Sequence, residues 1–348
     1  MKRKVLILSP LSDQALAVAR YLERFGKGRW ELYAGFMEGE VFRATGPYKE
    51  GLRVDDLSQL DSYDVVLPTG AVSTYWMAKN YGVFKVNGIR YSTANLQCFD
   101  KINMLTRVEE LCVPIPKTYS SISEIDDNMF PIFYKQKFER GGGARGIARS
   151  REELERLRPQ SDLFYQEYIP GRVTYGMGFI AKDGRLLTFF QHEECLSSPV
   201  QGGSAVIIKT FYDDRLKAYT EKIVHALGLD GWGLAEFKYC PRRRDFVFME
   251  INAKLWASIE FAFMNNKNFM RYMFEIDYPE EKCDRVVFVD RLISLGLKEV
   301  IRNSRYVLNS QIISYRPAPK LLLHLIAGIL PSSCRQVMKR VMCSTGTL

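Results

Sequence analysis

The sequence lacks several features that would place it in a familiar class of proteins. Its 348 residues contain no run of about 20 apolar residues, so no membrane-spanning helix is predicted. Its seven cysteines include no CxxC pair, which argues against a zinc knuckle or a disulfide framework and favours a reducing cytoplasm. The three histidines have no metal-ligand spacing.

The overall composition is that of an ordinary globular protein long enough for two or three domains. Hydrophobic residues make up 47% of the chain and charged residues 26%. The net charge of +9 favours an anionic ligand, a membrane surface or nucleic acid. Because the basic residues form no obvious patch interleaved with aromatics, we predict no nucleic-acid partner.

The first part of the chain alternates short apolar runs with helical stretches, which predicts an open parallel α/β unit. A helix is expected to begin at Ser12 or Asp13 and to end at Gly26. The turn before this helix contains no glycine, so the dinucleotide-binding fingerprint is missing and neither NAD nor FAD is expected there. The predicted strands are residues 5–8, 30–34, 64–67 and 83–86.

A strand that carries Lys135 leads into a glycine-rich loop formed by Gly141, Gly142 and Gly143. Consecutive backbone N–H groups in such a loop can form an anion-binding nest, and lysine supplies a point charge suited to phosphate. Arg145 borders the loop and is expected to contact the same phosphate. A flexible turn between two strands is the simpler interpretation of an isolated glycine run.

Two alternating strands further along the chain carry acidic residues that complement this loop. Glu236 and Glu250 are each seven positions from Arg243, so a turn centred there places them opposite one another. Facing glutamates destabilise an antiparallel pair unless a cation lies between them. Together with Asn252 they offer the oxygen ligands that magnesium prefers. A solvated hairpin face is the alternative interpretation.

The chain resembles ATP-grasp proteins, and most of all those of the carboxylate–amine ligase type related to the carbamoyl-phosphate synthase large chain. The resemblance spans about residues 1–275 and rests on the order of Lys101, Lys135, the glycine loop, residues 166–171 and the acidic hairpin. It implies an α/β and α+β chain, with an N-terminal Rossmann-like (pre-ATP-grasp) domain and a two-subdomain ATP-grasp fold. The implied parts are an N-terminal domain at 1–92, a lid subdomain at 93–165, a metal-binding subdomain at 166–280 and a C-terminal helical extension at 281–348.

The resemblance implies that ATP binds between the lid and the metal-binding subdomain. Lys101 and Lys135 match the lysines that contact phosphate. The glycine loop matches the segment that closes over the β- and γ-phosphates. The hinge whose backbone meets adenine is matched by Glu167, Tyr168 and Ile169.

The metal-binding and catalytic positions show agreement with the family pattern and two departures from it. Glu236 and Glu250 match the carboxylates that hold magnesium, and Asn252 completes the second ion's site; manganese is an alternative ion. The arginine that usually contacts the reacting phosphate and acyl oxygens is Lys254 here, which keeps the charge but loses the bidentate fork. The acidic residue that is common near the ribose is Arg172.

The chemistry implied by the resemblance is ATP-dependent ligation of a small-molecule carboxylate to an amine, through an acylphosphate and with release of ADP and phosphate. Such phosphoryl transfer requires positioning and charge neutralisation, which lysines and magnesium provide without a nucleophilic side chain. Two alternatives stay open. One is a phosphotransferase on the same scaffold, and the other is a nucleotide-binding regulatory or assembly protein without turnover.

The C-terminal stretch has an ambiguous pattern. The apolar residues 320–330 are followed by Arg335, Lys339 and Arg340. Basic and apolar residues in this arrangement are typical of interfacial helices that make peripheral contact with a membrane. A helix packed against the core or within a homodimer is the simpler interpretation.

Overall fold

The computed structural model describes residues 2–42, 46–138, 143–157, 162–199 and 203–316, and over these ranges the chain is a mixed α/β structure with several sheets. Gly141, Gly142 and the apolar and basic C-terminal stretch lie outside the described residues. By contact the chain divides into two compact units, residues 1–191 with 212–281, and residues 192–211 with those from 282 onward. None of the helices in the described ranges has both the length and the apolarity to cross a membrane.

The first unit begins with four parallel strands in the order β3-β2-β1-β4. Ser12 caps the first helix by accepting a hydrogen bond from the Ala15 N–H, and the helix ends at Gly26, as predicted. The elements of this part are β1 (Arg3–Leu8), α1 (Asp13–Phe25), β2 (Trp30–Phe36), β3 (Gly51–Arg53), β4 (Val65–Pro68), α2 (Ala71–Tyr81), β5 (Phe84–Val86), β6 (Ile89–Tyr91) and α3 (Lys101–Glu109).

The strand predicted at residues 83–86 is present as β5, but its predicted place in the parallel sheet is wrong. Strand β5 pairs antiparallel with β6 in a separate two-stranded sheet, and β3 takes the remaining place beside β2. The apolar run at residues 83–86 has the pattern of a buried parallel strand, which misled the prediction. Strand β3 is only the tripeptide Gly51–Arg53, which has no apolar run to reveal it.

A second, antiparallel sheet follows, with the strand order β7-β10-β8-β9. It is called the lid sheet below. Its strands pack on a small core that includes Ile132, Leu154 and Leu163. Ser150 caps the short helix at its edge, as predicted by a serine followed by two glutamates of the first turn, Glu152 and Glu153. The elements are β7 (Thr118–Tyr119), β8 (Ile132–Gln136), β9 (Arg145–Ala148), α4 (Arg151–Glu155) and β10 (Leu163–Glu167).

The rest of the first unit contains the acidic hairpin. Strands β15, β14, β11 and the first part of β12 lie side by side there. The Asp-Gly pair at positions 183 and 184 is a sequence signal that predicts a hairpin turn, and it joins β11 to β12 with φ of 52° and 67° at these residues. The elements that follow the lid sheet are β11 (Thr174–Lys182), β12 (Arg185–Ser198), β13 (Ser204–Thr210), α5 (Asp214–Ala226), β14 (Gly231–Cys240), β15 (Asp245–Asn252), α6 (Ile259–Asn265) and α7 (Asn268–Phe274).

The second unit contains the later part of β12 together with β13 and the described C-terminal elements. Strand β12 pairs antiparallel with β13, with a register shift around Cys195. Val206, Ile207, Val287 and Leu292 form the buried core of this unit. Its remaining elements are β16 (Arg285–Phe288), α8 (Val289–Ser294), α9 (Leu297–Arg302), α10 (Ser304–Leu308) and β17 (Gln311–Ile313).

Candidate active site

The hairpin formed by β14 and β15 places the two predicted metal carboxylates opposite one another. Glu236 on β14 is the direct cross-strand partner of Glu250 on β15, as predicted. A bulge follows this pair, because the next partners along the hairpin are Phe237 and Phe248. The two phenylalanines are fully buried, whereas both glutamates are half-buried. The two carboxylates therefore lie on one face of the hairpin, and the two phenylalanines on the other face are part of the hydrophobic core.

Asn252 joins the two carboxylates from the end of the same strand. Its Nδ2 lies 2.9 Å from Glu236 Oε1 and 3.2 Å from Glu250 Oε1. Glu250 and Asn252 are two residues apart on β15, so their side chains share a face of the strand. One amide thus orients both carboxylates, and the three predicted metal-binding residues form one group.

Two lysines from other elements reach the same carboxylate. Lys101 is the first residue of α3, whose cap Asp100 accepts a hydrogen bond from the Asn103 N–H. Its Nζ lies 2.7 Å from Glu250 Oε2. Lys135 Nζ, from the centre of the lid sheet, lies 3.2 Å from the same oxygen. The structure therefore brings both predicted phosphate-contacting lysines to the predicted metal site.

This ion cluster is shielded from water. Lys101 is 2% exposed and Lys135 6%, and the side chain of Glu250 is 13% exposed. Burial favours the neutral acid, but the ammonium groups of Lys101 and Lys135 outweigh it and hold the pKa of Glu250 well below its ordinary value of 4.5. Burial lowers the pKa of Lys135, and the neighbouring charge of Lys101 lowers it further against the attraction of Glu250.

The described end of the glycine loop leads from Gly143 into β9, which pairs with the strand that carries Lys135. Arg145 on β9 is the cross-strand partner of Lys135, so both side chains leave the lid sheet on the same face. Gly143 has φ of 138°, and a Cβ built there would lie 2.5 Å from Gln136 Oε1. The backbone conformation therefore favours glycine at this position, whereas the flexible end of Gln136 could move aside for a side chain.

The predicted hinge residues leave the lid sheet beside the turn of the acidic hairpin. Glu167 ends β10, Tyr168 is half-buried, and Ile169 is buried against Cys240 and Val247 of the hairpin. This places the hinge backbone along the hairpin strands that carry the carboxylates.

Lys254 follows the hairpin and lines a narrow cleft that also receives Lys101 and Asn252. The segment that carries it is fixed at two points. The Lys254 N–H donates to the Asn252 carbonyl at 2.9 Å, and the buried Tyr91 hydroxyl donates to the carbonyl of Ala253. Sequence reasoning missed the other cleft residues, which are Ala71, Cys98, Phe99 and Ile251. Their chemistry is ordinary, so no sequence signal distinguishes them.

The donor set at the hairpin fits a hard divalent cation. Glu236, Glu250 and Asn252 offer carboxylate and amide oxygens, which magnesium prefers, and magnesium commonly completes its shell with water and substrate phosphates. No group of three or more His, Cys, Asp or Glu side chains suited to a metal occurs within the described ranges.

The fold is similar to that of several solved enzymes. Pyruvate carboxylase from Rhizobium etli matches with a TM-score of 0.59 and 13% identity. The match covers 77% of this chain, and this chain spans only 28% of that one. L-amino acid ligase from Bacillus licheniformis matches with a TM-score of 0.55 and 14% identity, over 73% of this chain and 68% of that chain. No protein-family model and no curated protein matches the sequence.

A third similar structure contains nucleotide. The biotin carboxylase domain of 2-oxoglutarate carboxylase from Hydrogenobacter thermophilus, solved as a dimer with MgADP, ADP and bicarbonate, matches with a TM-score of 0.61 and 14% identity. The match covers 82% of this chain and 73% of that chain. At 13–14% identity these similarities confirm, for the fold alone, the expected resemblance to ATP-grasp proteins.

Proposed function

We propose that this protein is an ATP-dependent ligase that joins a small-molecule carboxylate to an amine through an acylphosphate, with release of ADP and phosphate. The observation that carries the proposal is the convergence of Lys101 and Lys135 on Glu250, beside Glu236 and Asn252. Two buried cations and two carboxylates at one place match the needs of a polyphosphate bound with a divalent cation. The fold similarity supports the same reaction class.

In this proposal the two lysines neutralise the phosphates of ATP. Their ammonium groups now share Glu250 Oε2, so short movements of flexible side chains would transfer them to phosphate oxygens. Arg145, opposite Lys135, adds a third cation on the lid side. Charge neutralisation of this kind by preorganised groups is the main contribution of a protein to phosphoryl transfer.

Glu236, Glu250 and Asn252 would hold magnesium, or manganese in its place. The bound cation would neutralise charge on the β- and γ-phosphates and orient them for in-line transfer. The protein's own part is to fix the two carboxylates, which the shared Asn252 amide does. Glu167, Tyr168 and Ile169 would meet adenine through their backbone.

The cleft beside Lys254 is the proposed place of the substrate carboxylate. Lys254 and Lys101 give one side of the cleft positive charge, whereas Phe99 and Ile251 give another side an apolar surface. The chemistry of these walls suits an anionic head group beside a small uncharged body. Lys254 would hold one acyl oxygen while the other attacks the γ-phosphate, and it would do so through a single point charge rather than an arginine fork.

The proposal predicts a specific dependence of ATP turnover on substrates. A carboxylate-by-amine screen at saturating Mg-ATP should show ADP release only with a matched pair, detected by mass spectrometry. Hydroxylamine supplied in place of the amine should trap the activated acyl group as a hydroxamate, because it attacks acylphosphates directly. The control is the same screen without magnesium.

Three other results would each point elsewhere. AMP and pyrophosphate as products would refute the acylphosphate route. A stable phosphorylated product, unreactive with amines, would identify a phosphotransferase instead. Tight Mg-ATP binding with no turnover across a broad screen would favour a nucleotide-binding regulatory protein. This is the second candidate function, because Lys254 stands where the family usually has arginine.

A further inference from the structure

The lid sheet is joined to the rest of the first unit by two chain segments. The first connection is residues 110–117, between α3 and β7, and the second runs from Glu167, the last residue of β10, to residue 173, before β11. Any movement of the lid sheet must be accommodated by these two segments. Contacts that hold these segments therefore help to fix the position of the sheet, together with direct contacts such as the pair of Lys135 and Glu250.

One side chain reaches both connections. Arg243, in the turn of the acidic hairpin, donates from one terminal nitrogen to the Ile115 carbonyl at 2.7 Å. Its other terminal nitrogen is paired with the carboxylate of Glu167, the last residue of β10. Glu167 also ties the connections to each other, because its N–H donates to the Lys117 carbonyl at 2.8 Å and its carboxylate accepts from the Lys117 N–H at 3.3 Å.

Further contacts bring the same hairpin against both connections. The Phe248 N–H donates to the Pro114 carbonyl at 2.7 Å, and Lys238 Nζ lies 2.9 Å from the Gly171 carbonyl. Ile169 packs on Cys240 and Val247. Arg243 differs from these residues because it contacts the two connections at once, through the two arms of one planar group.

We propose that Arg243 is a positioning residue that holds both connections of the lid sheet to the hairpin that carries Glu236 and Glu250. The functional part of this inference rests on the proposed function, because the two elements that Arg243 holds in a fixed relation are the proposed adenine-contacting hinge and the hairpin of the proposed metal-binding carboxylates. The guanidinium suits this role because its rigid fork presents donors in two directions. Lysine at this position would keep the charge but lack the rigid fork that presents fixed donors to both partners.

The inference is tested first without nucleotide, by amide hydrogen exchange of the full chain. Arg243→Ala should speed exchange by about tenfold in the peptides that cover residues 112–119 and 164–171, because a charge-assisted hydrogen bond to each connection is lost. Arg243→Lys should give an intermediate increase. Glu167→Ala should affect the same two peptides, and the double variant with Arg243→Ala should add little beyond the larger single effect.

The matched control is Arg242→Ala. It removes the same charge from the adjacent exposed position in the turn, where no bond to either connection is formed. Exchange in Arg242→Ala should equal that of the unchanged protein. Unaltered exchange in Arg243→Ala, or an increase spread evenly over the chain, would overturn the positioning role.

A second measurement examines the consequence for nucleotide binding. Arg243→Ala should weaken Mg-ADP binding by about tenfold in calorimetry and raise KM for ATP with a smaller change in kcat. Arg242→Ala should leave both unchanged. Equal Mg-ADP affinity in all variants would contradict the link to the hinge. If the unchanged protein bound no Mg-ADP, the proposed function would fail, while hydrogen exchange would still decide the role of Arg243.

Discussion

Glu250→Gln should lower ligase turnover by about 10²- to 10³-fold or more while leaving the hairpin intact. The glutamine keeps the size of the side chain and an oxygen that can accept from Asn252, but it removes the charge that both lysines and the proposed metal site share. Preorganised charges at a phosphoryl-transfer site are worth about this much in rate. The measurement is ADP release under the matched-substrate conditions of the screen.

The control for this variant is Glu221→Gln on α5. Glu221 forms an exposed pair with Lys217 one helical turn away, so its loss should change neither turnover nor stability noticeably. Glu236→Gln should repeat most of the effect of Glu250→Gln on turnover, because it removes the facing carboxylate. Full activity in Glu250→Gln would mean that this carboxylate holds no catalytic cation.

Glu250→Gln should also lower the free energy of unfolding by about 3–5 kcal/mol at neutral pH, measured by denaturant titration. The cause is the loss of the carboxylate from a cluster in which Lys101 and Lys135 are almost wholly buried. Charges that lose their counter-charge in a dry site cost far more than exposed ones. Adding Lys135→Met to the variant should recover part of the loss, since it removes one buried charge.

The stability effect has a defined pH dependence. The lysines hold the pKa of Glu250 below its ordinary value of 4.5, so the carboxylate stabilises the fold fully above that pH. The contribution is lost as pH falls towards the lowered pKa of the folded state. The difference between the unchanged protein and Glu250→Gln should therefore shrink between about pH 5 and pH 2. A constant difference across this range would show that the ion cluster does not stabilise the protein.

Local sequence signals predicted several features of the molecule correctly. Ser12, Ser150 and the turn at Asp183 and Gly184 confirm the cap and turn rules, because these depend on neighbours a few residues away. The wrong placement of β5 in the parallel sheet also follows from the local nature of sequence signals. A short apolar run shows that a strand is buried, but the partner strand and its direction are decided by tertiary packing.

A turn centred on Arg243 predicts the pairing of Glu236 with Glu250. The pairing is present, but the strand register near the turn differs from the predicted one. Next to the turn the register is shifted by one residue, with Cys240 opposite Asp245. The bulge after Glu236 restores the predicted pairing. Without the bulge, the two carboxylates would lie on opposite faces of the hairpin, because one residue of slip reverses side-chain direction.

The ion cluster could not be derived from local pattern. Lys101 and Glu250 are 149 positions apart, and only the family resemblance connected them. Arg243 was missed as a contact residue because its partner Glu167 is 76 positions away. Sequence reasoning identified Glu167 by its backbone alone, whereas its side chain is held by the hairpin turn. Such long-range pairs depend on how separate elements pack, which no local periodicity records.

The most direct measurement of the proposed chemistry uses the carboxylate identified by the screen, labelled with ¹⁸O in both carboxyl oxygens. Attack of a carboxylate oxygen on the γ-phosphate leaves that oxygen on phosphorus when the amine displaces phosphate. Acylphosphate formation therefore predicts one ¹⁸O in each released phosphate, read by mass spectrometry or ³¹P NMR, and ADP in equal amount. Unlabelled phosphate, or label found in AMP, would contradict ligation through an acylphosphate at the site formed by Lys101, Lys135, Glu236, Glu250 and Asn252.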